Sequence, residues 1–159
     1  MHAIEEMFHV STLPGLAQII QLALAPVFLL NGIGAILAIL TGRLSRVVDR
    51  ARQIEEAFTP VDHPGHRAQV YELRLLDRRI RVVNNAIFLC TASAVAVALV
   101  VAMMFIARLA GFGFARTLAV VFTLAMFLLI AGLVLFLVEV RMAVAAIRVK
   151  DELLERRGR

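Results

Sequence analysis

The sequence predicts an all-α integral membrane protein: three long helices cross the bilayer and extend beyond it as a cytoplasmic helical stalk. Three observations carry that expectation. Of 159 residues, 61% are hydrophobic and the mean hydropathy is +0.86, whereas a soluble domain is roughly 45–50% apolar. Three stretches hold no charged residue: Leu16–Gly42, Val82–Ala107 and Thr117–Val138, of 27, 26 and 22 residues. A helix needs roughly 20 to cross the hydrocarbon of a bilayer. The amphipathic helical pattern also continues past each stretch. Inside lipid only helices and closed barrels satisfy their backbone polar groups, and long apolar runs without period-two alternation exclude the barrel.

Residues 1–15 read as a short periplasmic segment. Their opening "MHAIEEMFHV" is acidic and precedes no short cleavable apolar region, so the first span is expected to stay in the mature chain. Ile4, Met7 and Phe8 suit a short surface helix, with Ser11 or Thr12 as the next N-cap and Pro14 in the first turn.

Helix one is expected from Leu16 to Ala57, its span at 16–42. That span contains "LALAPVFLLNGIGAIL". Pro26 lacks an N–H and crowds the carbonyl one turn back, so a kink is expected there. Gly34, Ala38 and Gly42 recur every four residues, and helix two offers a similar strip in Ala94, Ala98 and Ala102. Small residues at this spacing let backbones approach, a main source of helix association in lipid. On a wheel of about 100° per residue, Gln18, Gln21, Ala25 and Gly32 share one narrow sector, which Arg43, Arg46 and Arg50 continue. Asn31, near mid-span, is costly against lipid. This face is therefore expected to meet another helix or subunit, or to line a water-filled path.

Beyond Gly42 the chain forms a cytoplasmic hairpin over 43–81. Leu44, Val47, Val48, Ala51, Ile54 and Phe58 keep helical spacing. The turn "TPVDHPGH" then breaks the helix with two prolines and a glycine. Helix two is expected from His66 to Ala107, with the stripe Val70, Leu73, Leu76, Ile80 and Val83 leading into the span at 82–107. The loop 108–116 is periplasmic, and its Phe112 and Phe114 suit the interface. Helix three is expected from Thr117 to Glu155, with its span at 117–138 and a cytoplasmic tail at 139–159. Val140, Val144, Ile147 and Leu154 extend its apolar side. Helix three has fewer small residues than the other two and is expected to face lipid most. Each helix is about 60 Å long, against about 30 Å of hydrocarbon. The extensions match in length and carry both signs of charge, which favours a stalk over helices lying flat on the inner leaflet.

Charge sets the orientation. Of 17 Lys and Arg, nine lie between Arg43 and Arg81 and six between Arg141 and Arg159, while residues 1–15 have none. By the positive-inside rule the N-terminus is periplasmic and the C-terminus cytoplasmic. The net charge of +5 is interleaved with acids, so no nucleic-acid surface is expected. Near the inner leaflet Arg43, Arg46, Arg50, Arg78, Arg79, Arg81 and Arg141 gather with Asp49, Asp77 and Glu139. They form a collar that pairs internally and meets lipid phosphates, or a vestibule that attracts anions or an anionic phospholipid headgroup.

Enzyme chemistry is not expected. No ionisable side chain other than Cys90 lies within a span, so intramembrane acid–base work lacks its usual residues. Ion-coupled transport lacks them too, and three spans are too few for inverted repeats within one chain. Asp62, His63 and His66 sit close together in the turn but do not make the closed ligand set of a structural zinc. Neither a metal nor a cofactor is expected. The lone Cys90 cannot form an internal disulfide and reads as a small packing residue. What remains is a homo-oligomeric helical assembly with a structural or accessory role, its stalk open to a cytoplasmic protein partner. The alternative is an oligomeric channel lined by helix one.

The run "APVFLLNGIGAILAILTGRLSRVVDRARQIE" resembles the signature of a bacterial membrane family, domain of unknown function 2721: Ala-Pro-x-Phe-Leu-Leu, a glycine, then Arg-Leu-x-Arg-x-x-Asp-Arg after the first span. The similarity extends through "RRIRVVNNAIFLCTASA" and the third span. It implies an inner-membrane protein with three spans, and brings neither an activity nor catalytic residues.

Overall fold

The computed structural model describes the backbone of residues 13–61, 64–110 and 115–155, and the side chains of that range except 13–19, 22, 108–110 and 145–155. Three helices follow in order: α1 (Leu13–Glu56), α2 (His66–Ala110) and α3 (Ala115–Glu155), of 44, 45 and 41 residues. Their ends lie within a turn of those expected from the apolar runs and the Pro/Gly turn. α1 runs unbroken through Pro26. The stretches Ala23–Glu56, His66–Ala107 and Ala115–Val144 are each long and apolar enough to cross a membrane.

Side chains are arranged as a lipid-facing molecule requires. Phe28, Phe88, Phe127 and Ile106 point outward with 62–70% of their surface exposed, and many Leu, Ile and Val side chains join them. A soluble monomer rarely presents so much contiguous apolar surface.

α2 is the central helix. It packs along α1 on one side and α3 on the other, while α1 and α3 touch far less. The buried positions follow a seven-residue repeat. On α1 they are Ile33, Leu40, Val47 and Ile54, with Ala23 buried off that row; on α2 they are Leu76, Val83, Cys90 and Val97, with Ala86, Ser93 and Val100 as a second row. This is the spacing of left-handed coiled-coil packing. Ile33 and Leu40 join Val83, Ala86, Cys90 and Leu129 in one cluster. Val47, Ile54 and Leu76 form another, flanked by Ala51, Leu73 and Ile80. The α1–α2 seam thus continues well past the uncharged stretch toward the turn.

α3 lies close against α2 at Gly132. A Cβ there would lie 2.7 Å from Cys90 Sγ and 3.3 Å from the Ala86 oxygen and the Cys90 nitrogen, so only glycine fits without a shift. One turn or two away, Ser93 Oγ donates to the Ala125 carbonyl at 2.7 Å. α3 was expected to face lipid more than the other helices. It is less buried than α2, whose most apolar stretch is 22% inside, but no less buried than α1, with 17% inside in both. Gly132 and Ala125 let the α3 backbone settle onto α2 despite the bulk of the Leu, Val and Phe around them.

The α1–α2 turn is fastened by Gln69. Its Oε1 accepts from the Thr59 backbone N–H at 3.0 Å and from Thr59 Oγ1 at 2.8 Å, and its Nε2 donates to the Ala57 carbonyl at 3.1 Å. His66 Nδ1 lies 2.9 Å from the Thr59 carbonyl, which can only accept, so Nδ1 donates. The His66 ring also meets Phe58 edge-on, centroids 5.1 Å apart.

Candidate functional site

The three helices are tied together where the uncharged stretches end. Arg43 is the first residue after Gly42, and Glu139 the first after Val138. Glu139 is fully buried, and its two oxygens are shared between two helices. Oε2 accepts from Arg43 Nη1 at 3.1 Å, and Oε1 accepts from Arg79 Nη2 at 2.9 Å. The Arg43 guanidinium also lies over the Phe136 ring, 5.4 Å from its centre, a cation–π arrangement. The repeat explains the burial. Glu139 continues Ala125 and Gly132 at seven-residue spacing, and Arg79 continues Val100, Ser93 and Ala86, so both charged residues stand on core faces.

Two cations on one anion leave the junction with a net positive charge. Arg43 and Arg79 keep 32% and 23% of their side-chain surface exposed, which lowers the cost of holding charge here. Arg79 Nε is buried and has no hydrogen-bond partner among the described residues. Removing one member of a buried ion network strands the remaining charge, which is why such networks are sensitive to single substitutions.

The rest of the collar divides into two groups. Arg50 donates through Nε and Nη2 to Glu72 at 2.9 and 2.8 Å, and Arg81 pairs with Asp77 at 2.7 Å along α2. Both pairs are exposed and contribute about 0–1 kcal/mol each. Arg46, Arg78, Arg141 and Asp49 are exposed and make no ion pair among the described residues.

Gln21, Ala25, Asn31 and Gly32 are exposed on α1, and the Gln18 side chain lies outside the described residues. Gly34 and Ala38 are exposed as well, while Gly42 is half-buried. Nothing lies within 4 Å of a Cβ built at Gly32, Gly34 or Gly42. On α2, Ala94 packs on the core cluster, whereas Ala98 and Ala102 are exposed. Gly34 and Ala38 stand within about 14 Å of the Arg43 level, whereas Ala98 and Ala102 stand about 28 and 34 Å from the level of Arg79. Because Arg43 and Arg79 share Glu139, the two strips occupy different heights and do not meet within the chain.

Among the described residues no group of three His, Cys, Asp or Glu could hold a metal. His66 serves the turn, and Asp62 and His63 lie outside the described residues, as do Ile4, Met7, Phe8, Ser11, Thr12, Phe112 and Phe114. Cys90 is buried against α3.

A family model described as "Protein of unknown function (DUF2721)" matches residues 23–149. The chain belongs to the DUF2721 family. The match takes in most of all three helices and every member of the Arg43–Glu139–Arg79 junction. No curated protein and no solved structure matches this DUF2721 chain.

Proposed function

We propose that this DUF2721 protein is a non-enzymatic subunit of a homo-oligomeric assembly in the bacterial inner membrane, with a structural or accessory role. Its N-terminus is periplasmic and its C-terminus cytoplasmic, as the charge asymmetry favours. The hairpin 43–81 and the tail 139–159 form the cytoplasmic stalk, on which a protein partner docks. One observation carries the proposal: Asn31 is exposed in the middle of an apolar helix, beside Gly32 and Gly34 with open space over both. An amide facing hydrocarbon is costly, and small residues at a helix surface invite a second helix. A second copy supplies both the polar partner and the close backbone.

The mass of the detergent-solubilised protein, by light scattering or native mass spectrometry, tests this. The wild type is expected as an oligomer and Gly34→Leu as a smaller species. A monomeric wild type, or an unchanged mass in the variant, contradicts it. The channel version has its own support in the outward placement of Gln21 together with Asn31. Proteoliposomes that pass no ions under any salt or voltage remove the channel and leave the scaffold.

A further inference from the structure

We propose that Arg46, Arg78 and Arg141 form a belt that binds the headgroup phosphates of anionic phospholipids. The inference rests on the reading that α1, α2 and α3 span a bilayer. Contact of Arg43 and Arg79 with Glu139 fixes the relative height of the three helices. Measured from that level, Arg46 is three residues along α1, Arg78 one along α2 and Arg141 two along α3, each away from the apolar stretch. At 1.5 Å per residue all three fall within about 5 Å of one plane. Immediately on the other side stand exposed apolar side chains, Ile39, Leu137 and Val138. Cations therefore begin where the lipid-facing wall ends on α1 and α3, while on α2 the exposed Asn84 and Asn85 stand between the arginines and Phe88, the first exposed large apolar side chain of the span.

Pairing distinguishes these three from the other arginines within about 5 Å of that plane, whereas Arg74, also exposed and unpaired among the described residues, stands a turn farther out on α2. Arg43, Arg79, Arg50 and Arg81 are engaged with Glu139, Glu72 and Asp77. Arg46, Arg78 and Arg141 are exposed and unpaired among the described residues, so their forked donors are available to phosphate. Asp49, exposed one turn beyond Arg46, offsets one of these charges. The junction adds a net positive charge of its own, and the belt stays cationic. A net-negative headgroup is favoured over a zwitterionic one, whose own cation is repelled.

The full chain is placed in nanodiscs of phosphatidylcholine with a minority of phosphatidylglycerol, and retained lipids are identified by native mass spectrometry. The wild type is expected to enrich phosphatidylglycerol. Arg46→Gln, Arg78→Gln and Arg141→Gln together abolish the enrichment, with roughly a five-fold loss per arginine, and the matching lysine triple retains it. Arg50→Gln with Glu72→Gln leaves the enrichment intact. The glutamine triple should unfold at the wild-type midpoint, because none of the three side chains has a described partner. Entry into the disc without any lipid preference, or an unchanged preference in the glutamine triple, overturns the belt alone. Failure of the wild type to enter the disc overturns the bilayer reading beneath it.

Discussion

Glutamine at position 139 keeps the size of the buried side chain and removes its charge. Glu139 holds two charge-assisted hydrogen bonds, to Arg43 and Arg79, each worth about 1.5–3 kcal/mol. Removing one partner of a buried ion network costs about 3–5 kcal/mol. Two features reduce the loss here. The arginines keep 32% and 23% exposure and regain some hydration, and the amide oxygen of glutamine still accepts one bond. The expected destabilisation is about 3 kcal/mol for Glu139→Gln, and more for Glu139→Ala. Reversible unfolding in mixed detergent–SDS micelles, followed by circular dichroism, measures it. Replacing all three residues by methionine removes every charge at once and should restore most of the loss. A cost for Glu139→Gln below about 1 kcal/mol, the value of an exposed pair, would refute the assignment of Glu139 as a three-helix lock.

Two further substitutions probe the packing. Gly132→Ala forces a methyl against Cys90 Sγ and the α2 backbone, and the same unfolding assay should report a loss of about 1–3 kcal/mol. Adding Cys90→Ala should recover part of it, because the backbone contacts at 3.3 Å remain. Gln69→Ala removes the fastening of Thr59 and Ala57. A loss of about 1 kcal/mol should appear as faster amide exchange at Thr59 with the helices otherwise unchanged.

The helices were legible in the sequence because their causes are local. Long apolar runs mark the spans, and "TPVDHPGH" marks the turn. Cys90 was also readable as a packing residue, being small, apolar and inside a span. Which charged residues face inward was not legible from the collar itself, since Glu139, Asp77 and Asp49 look alike as acids at one depth. Only Glu139 is buried, because burial depends on how each helix is rotated against its neighbour. A signal for that rotation was present. The rows Ala125–Gly132–Glu139 and Arg79–Ala86–Ser93–Val100 repeat every seven residues, a period that points inward along a supercoiled seam and that four-residue small-residue spacing obscures. Gly132, the lone glycine of α3, belongs to the same row. The strip Gly34–Ala38–Gly42 was legible as small, but its outward direction required the seam of Ile33, Leu40 and Val47 on the other side of α1.

An odd number of crossings places the two ends of the chain on opposite faces of the membrane, and compartment-sensitive reporters fused to each terminus read this in intact cells. The N-terminal fusion is expected to report the periplasm, and the C-terminal fusion, like a reporter inserted near Val61, the cytoplasm. Both termini reporting one compartment would mean that three helices do not cross, and the junction, belt and assembly face would lose the frame that positions them.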